Sequence, residues 1–280
     1  PSRGQSLGVA SVRPAAVAGS FYPADPRTLR AAVRQHLDAA REKSAFVAEW
    51  PKALIVPHAG YVYSGATAAR AFATLEPGRD VIGRVVLLGP SHHVLFEGLA
   101  APTSTAFETP LGRVPIDENG RRSVLHLPFV RELDDAHHWE HSLEVQIPFL
   151  QEALETFSLL PLAVGRASPA EVDAVLEALW GGDETLVVVS SDLSHYHSYA
   201  TAKRMDSATA EAIEALRPMD IGHEDACGGI GIRGLLRVAQ RHGLAVRTLD
   251  LRSSGDTAGG RDEVVGYGAW AFTASRNGAP

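Results

Sequence analysis

The sequence predicts an α/β fold: a single domain with a central mixed, largely parallel sheet flanked by helices. Three observations predict it. Short, branched, uncharged runs (Ala53-Leu54-Ile55-Val56, Val85-Val86-Leu87-Leu88 and Leu186-Val187-Val188-Val189) read as strands buried on both faces. Amphipathic helical patterns alternate with such runs along the chain. No Pro/Gly/Ser linker, repeat or low-complexity segment divides the 280 residues, so 1–280 reads as one domain with its core at about 13–273. At 45% hydrophobic, a chain of this length buries a substantial core.

The elements follow in order. Asp25-Pro26, ahead of Leu29, Ala32, Val33 and Leu37, gives an N-cap, a proline at the first helical position and an apolar helix face. A strand at 52–56, a helix at 67–75 and a strand at 84–88 come next, then a β-hairpin-like or irregular insertion around 98–116. Leu143, Ile147, Leu150 and Leu154 place a helix at 142–154, kinked or broken by Pro148. After a strand at 158–164, Ser168-Pro169-Ala170-Glu171 is a capping box. It opens a helix with Val172, Val175, Leu176 and Leu179 inward, stopped by Gly181-Gly182. A strand at 186–189, helices at 200–216 and 230–241, and strands at 245–251 and 264–273 complete the chain.

Composition excludes several classes. A net charge of −7 argues against a nucleic-acid or acidic-membrane surface, and no apolar stretch approaches the ~20 residues of a membrane span. The segment through Ala18 has arginines but no apolar h-region, so it does not read as a signal peptide. The lone Cys227 cannot form an internal disulfide, and a reduced cytoplasm is its natural compartment.

Three apolar runs end within a few residues in histidine: Pro57-His58, Pro90-Ser91-His92-His93, and Asp192-Leu193-Ser194-His195. Ligand sites of open α/β sheets lie beyond the carboxyl ends of strands, so the three ends suggest one site. Adjacent side chains on extended backbone point oppositely; one of His92 and His93 faces a common ligand and the other supports it. Glu140 and His141 fall at or before a helical first turn, where a carboxylate orients an imidazole or shares its proton, or where Glu140 complements the helix dipole. Asp192 and His195, three apart on an expected helical turn, share a face, so the acid can hold the base. Ser190 and Ser191 invite a serine-hydrolase reading, which the lack of a G-x-S-x-G elbow opposes. Cys227, ahead of Gly228-Gly229 and a helix near 230, is either a small buried residue or a thiol whose pKa the helix end lowers for a nucleophile or metal ligand. Beside several cleft histidines, metal ligation is the better use, and a His/His/thiolate set leaves positions open for water, dioxygen or substrate.

At these residues the chain resembles the Memo family, whose bacterial members are also called AmmeMemoRadiSam system protein B. The matching segments are 13–23 (Arg13-Pro14-Ala15 through Phe21-Tyr22-Pro23), Pro57-His58-Ala59-Gly60-Tyr61 with Ser64-Gly65, and Gly89-Pro90-Ser91-His92-His93. They continue with 140–150 (Glu140-His141-Ser142-Leu143-Glu144 onward), Ser190-Ser191-Asp192-Leu193-Ser194-His195, Cys227-Gly228 and Gly266-Tyr267-Gly268-Ala269. That family is similar in fold to the class III extradiol (LigB-like) dioxygenases, which carry non-haem iron at strand ends.

The resemblance implies that His58, His92 and Cys227 occupy metal-ligand positions. It also implies that Asp192, His195, Glu140 and His141 are the cleft's catalytic residues, with His93, His137, Tyr61 and Ser91 in substrate-binding or supporting places. It implies non-haem iron or copper, with zinc as an alternative, and a small-molecule substrate or peptide in the cleft. A radical-SAM protein and an AMMECR1-like domain are implied as pathway neighbours. Where ring-cleaving relatives complete two histidines with a carboxylate, this chain has a thiol, a softer donor. Two readings stand: a metal-dependent oxidoreductase of dioxygenase type, or a non-catalytic metal- or peptide-binding module. Metal-assisted hydrolysis is a weaker third.

Overall fold

A computed structural model describes residues 11–45 and 47–274. The first ten residues, part of the segment expected to lack a signal peptide, lie outside the described residues, as do both ends of the expected 1–280 domain.

In chain order, β1 (Val12–Arg13) leads to α1 (Pro26–Glu42), β2 (Ala53–Val56) to α2 (Tyr61–Phe72), and β3 (Arg84–Pro90) to three short strands, β4 (Leu99–Ala101), β5 (Ala106–Thr109) and β6 (Gly112–Pro115). Then come α3 (Glu118–Val124), β7 (Val130–Glu132), α4 (Asp135–His138), α5 (His141–Glu144) and α6 (Ile147–Ala153). The second half runs β8 (Ser158–Val164), α7 (Pro169–Leu179), β9 (Thr185–Ser190), β10 (His195–His197), α8 (Tyr199–Glu214), α9 (Gly229–Arg241), β11 (Leu244–Ser253) and β12 (Val264–Ala274).

The main sheet is mixed, as expected, and parallel at its centre, where β2, β9, β3 and β8 lie side by side. On one flank β12 runs antiparallel to β2 and carries β10 and β11, both antiparallel to it. On the other, β4 is antiparallel to β8 and parallel to β7. The expected insertion resolves into a hairpin, β5 with β6, which β1 joins as a separate three-stranded sheet. Its first residues, as β4, belong to the main sheet.

Alternation sends successive strand side chains to opposite faces. Leu54, Val56, Val85, Leu87 and Val188 pack under α1, α2 and α6 through Leu29, Val33, Phe72 and Phe149. Ala53, Ile55, Val86, Leu88 and Val187 pack under α7, α8 and α9 through Val172, Leu176, Ile213 and Leu235. Both faces are covered, which is why these strands are apolar at every position. Each Leu, Ile or Val so buried contributes about 1.5–3 kcal/mol of transfer free energy. Among the described residues no helix is long and apolar enough to cross a membrane.

Local signals hold at the caps. Asp25 accepts from Thr28 N–H at the head of α1, and Ser168 and Glu171 form the reciprocal capping box of α7. Two boundaries differ from expectation. α2 begins at Tyr61, well before 67, because its buried face is built from Ser64, Gly65, Thr67 and alanines, which carry little hydrophobic periodicity. The 142–154 helix is broken rather than bent: Pro148 sits in the first turn of α6, and the Gln146 N–H returns to Leu143 O.

Candidate metal centre

β2, β9 and β3 are parallel neighbours, so their carboxyl ends lie at one edge of the sheet and deliver His58, Asp192 and His92 to it. The short helix α5 brings Glu140 and His141 to the same edge, and the turn before α9 brings Cys227.

His58 is 2% exposed. Its backbone N–H donates to Asp192 Oδ1 at 2.8 Å, tying two strand ends together. Its Nδ1 lies 2.8 Å from Ser190 Oγ, while Nε2 faces Cys227 Sγ at 3.3 Å. On His92, Nδ1 meets Glu140 Oε2 at 2.9 Å, which leaves Nε2 as the ring's remaining donor. Glu140 also accepts the backbone N–H groups of His92 and Ser142. It therefore serves both sequence readings at once, as N-cap of α5 and as the carboxylate that aims an imidazole. His141 stacks on Phe21 and on His92, each with ring centroids 4.5 Å apart. The ligand atoms of His58, His92 and His141 all lie within 4.8 Å of one another.

Electrostatics keep two of these imidazoles neutral. Burial, with the His92 charge second, pushes His58 down to about 3. Burial and then His58 and His92 lower His141 to about 4. His92 is raised instead: burial opposes its protonation, but the hydrogen bond and charge of Glu140 outweigh it. Glu140 correspondingly falls to about 2 despite its burial, through the hydrogen bonds from His92 and Ser142. Burial raises Asp192 against the pull of the His58 N–H.

Cys227 needs a correction. The helix end was expected to lower its thiol, but burial, with Asp192 second, pushes it up to about 12. The N–H of Asp192 reaches the sulfur at 3.3 Å, and that bond does not offset the two opposing effects. Metal coordination deprotonates a thiol outright, so the ion itself would have to expel this proton.

Other candidates are placed differently from expectation. His195 lies on β10, beside Tyr196 at φ 63°, not on a helical turn, so the i, i+3 argument for Asp192 holding it does not apply. Asp192 is engaged by the His58 backbone instead. His137 is turned into the core, its Nε2 on Ala100 O at 2.8 Å and its ring against Phe107. Tyr61 donates to Val145 O at 2.6 Å and packs on Phe149, so it supports the fold beneath the cluster. Ser91 donates to Val94 O and shapes the loop after β3. His93 is exposed, its ring 6.4 Å from that of His141. Ser190 Oγ donates to Ser142 O within the core, which disposes of it as a nucleophile.

Sequence reasoning missed Phe21, Gln146 and the supporting place of Ser190. The available signal was a polar residue ending a buried strand, which must find a partner. An apolar cavity of about 230 Å³ abuts the cluster, with Cys227, Ser190 and Ser91 on the near side and Leu95, Phe96 and Arg166 among its other walls.

The sequence model of the Memo-like protein family matches residues 13–271. A MEMO1 family protein of Aquifex aeolicus is 35% identical over 270 residues, covering 91% of this chain and 97% of the relative. MEMO1 family proteins of Saccharolobus islandicus and Archaeoglobus fulgidus are each 33% identical, covering 92% and 91% of this chain and 98% and 97% of the relatives. A crystal structure of an uncharacterized Escherichia coli K12 protein is similar over 80% of this chain and 100% of that one, with 16% identity and a TM-score of 0.47.

Proposed function

This chain belongs to the Memo-like protein family, and from that premise we propose that it is a metal-dependent oxidoreductase of dioxygenase type, with His58, His92 and Cys227 as ligands. One observation carries the reading: three imidazoles converge within 4.8 Å, and the two at strand ends have their Nδ1 atoms taken by Ser190 and Glu140. The His58–Cys227 pair fits a metal, while the three ligand atoms within 4.8 Å of one another are those of His58, His92 and His141. A nitrogen at ~2.0 Å and a sulfur at ~2.3 Å from one tetrahedral ion stand about 3.5 Å apart, and His58 Nε2 and Cys227 Sγ are 3.3 Å apart. Two imidazoles and a thiolate suit non-haem iron or copper, and zinc also fits them.

When bound, the metal supplies Lewis-acid and electron-transfer chemistry. The protein's residues supply the rest. Glu140 aims His92, and Asp192 pins the His58 strand end. His141, its imidazole lowered to about 4 by burial and stacked beside His92, would accept a substrate proton. His195, partly exposed on β10, would polarise substrate from that strand. The cavity beside Cys227 takes the apolar body of a small-molecule substrate. A cytoplasmic setting and the radical-SAM and AMMECR1-like neighbours belong to the same proposal.

One observation favours a second reading, a metal-binding module without turnover: the third donor is a thiol rather than a carboxylate. Oxygen uptake by protein loaded with Fe(II) under anaerobic conditions, with catechols as probes, separates the two. The oxidoreductase reading expects oxygen-dependent loss of catechol that His141→Ala abolishes while retaining iron. Tight Cu(I) binding with no uptake would establish the module, and product formed without oxygen would indicate hydrolysis.

A further inference from the structure

We infer that Ser190 is a positioning residue that fixes His58 in its Nδ1–H tautomer and so presents a bare Nε2 to the site. The inference rests on the proposed role of His58 as a ligand, and it follows from counting protons around one hydroxyl. Ser190 Oγ has three neighbours: Ser142 O at 2.7 Å, Gln146 Nε2 at 3.0 Å and His58 Nδ1 at 2.8 Å.

A carbonyl only accepts, so the single hydroxyl proton goes to Ser142 O. That carbonyl needs it: the i+4 amide, Gln146 N–H, is turned to Leu143 O at the helix break. The Gln146 amide is oriented without ambiguity, because the same Nε2 donates to Pro57 O at 2.9 Å. Its two protons are therefore spent on Pro57 O and Ser190 Oγ. Ser190 has no proton left for His58, so Nδ1 must carry one and donate it.

The opposing pull is weaker. Asp192 Oδ2 lies 3.8 Å from His58 Nε2 and would favour a proton there, but that separation is beyond hydrogen-bond reach. Ser190, Gln146 and Ser142 are each 1% exposed or less, so water does not substitute for any of them. Sequence links this device to the break at Pro148: an unbroken helix would have satisfied Ser142 O itself and released the hydroxyl.

The test uses full-length, metal-free protein labelled with 15N-histidine, the His58 signals being assigned by their loss in His58→Gln. The wild type should show a protonated Nδ1 and an unprotonated Nε2. Ser190→Ala should redistribute the proton toward Nε2 and weaken Zn(II) binding by about 10–100-fold. Ser190→Thr, which keeps the hydroxyl, should restore both. A protonated Nε2 in wild type, or an unchanged tautomer in folded Ser190→Ala, overturns the assignment. The wild-type spectrum decides the matter even where Ser190→Ala fails to fold. The expected tautomer in a protein that binds no Zn(II) would support this assignment while removing the metal reading.

Discussion

Glu140 caps the four-residue helix α5 and Glu144 is its last residue, at 1% and 0% exposure, yet they meet different donors. Glu144 is saturated by the N-terminal segment: the Arg13 guanidinium, the backbone N–H groups of Ala16 and Val17, and the Tyr22 hydroxyl. Arg13 goes on to donate to His137 O and Glu140 O. This carboxylate staples residues 13–22 onto the turn that carries the site. Glu140 instead holds an imidazole, and the other nitrogen of that ring is left for chemistry. Burial alone does not separate a structural carboxylate from a functional one; the identity of its donors does.

The contrast predicts opposite phenotypes. Glu144→Gln leaves a buried guanidinium without its charge partner, and a buried pair broken in this way costs about 3–5 kcal/mol. Urea unfolding should show that loss, and a change under about 1 kcal/mol would break the comparison. Glu140→Gln keeps an oxygen for the cap, so its stability loss should stay within the ~0.5–2 kcal/mol of a helix cap. Its Zn(II) affinity should fall about 10–100-fold, as for lost support behind a ligand. If Glu144→Gln instead spares stability and Glu140→Gln spares affinity, the two roles are exchanged.

Acid should expose the neutral histidines. His58 at about 3, His141 at about 4 and His137 at about 4, all lowered first by burial, take up protons less readily folded than unfolded. Their contribution is present above the ordinary imidazole value of about 6.5 and is lost as pH falls from there through their folded values. Glu140, lowered to about 2, adds a further loss below the ordinary carboxylate range. His92 has the opposite sign: its contribution is full below about 6.5 and fades as pH rises through its raised value. Four depressed histidines, His36 included, act against the raised His92 and against Asp192 and Asp206, raised by burial and so offsetting part of the loss as pH falls. The balance predicts a thermal midpoint that drops between pH 6.5 and 4. His137→Phe should shallow that slope without touching metal affinity, and a flat profile in the wild type would contradict the assignment. The smallest effect belongs to His93→Ala, which should stay within about 0.5 kcal/mol of wild type in stability and keep its affinity. A larger loss there than in His92→Ala would exchange ligand and support.

Much of this was legible in the chain. The buried strands, the Asp25 and Ser168 caps and the convergence of His58, His92 and Asp192 on one sheet edge follow from local pattern and strand geometry. The rest depends on partners far along the sequence. Glu140 and Glu144 sit in one motif, and only the docking of residues 13–22 tells them apart. β10 shows no alternation and exists because β12 offers it an edge, so His195 could not be placed on a strand in advance. The Cys227 thiol rises because the surrounding fold buries it against Asp192, outweighing the local helix-end effect that sequence suggests.

The central claim, a metal held at His58 and His92, is tested most directly by the metal content of protein purified without oxygen. Wild type should carry iron, copper or zinc in near-stoichiometric amount. His92→Ala should lose it, and Cys227→Ser should retain the fold with markedly less metal. Undiminished metal in His92→Ala would contradict the account, and undiminished metal in Cys227→Ser alongside its loss in His141→Ala would make His141 the third ligand.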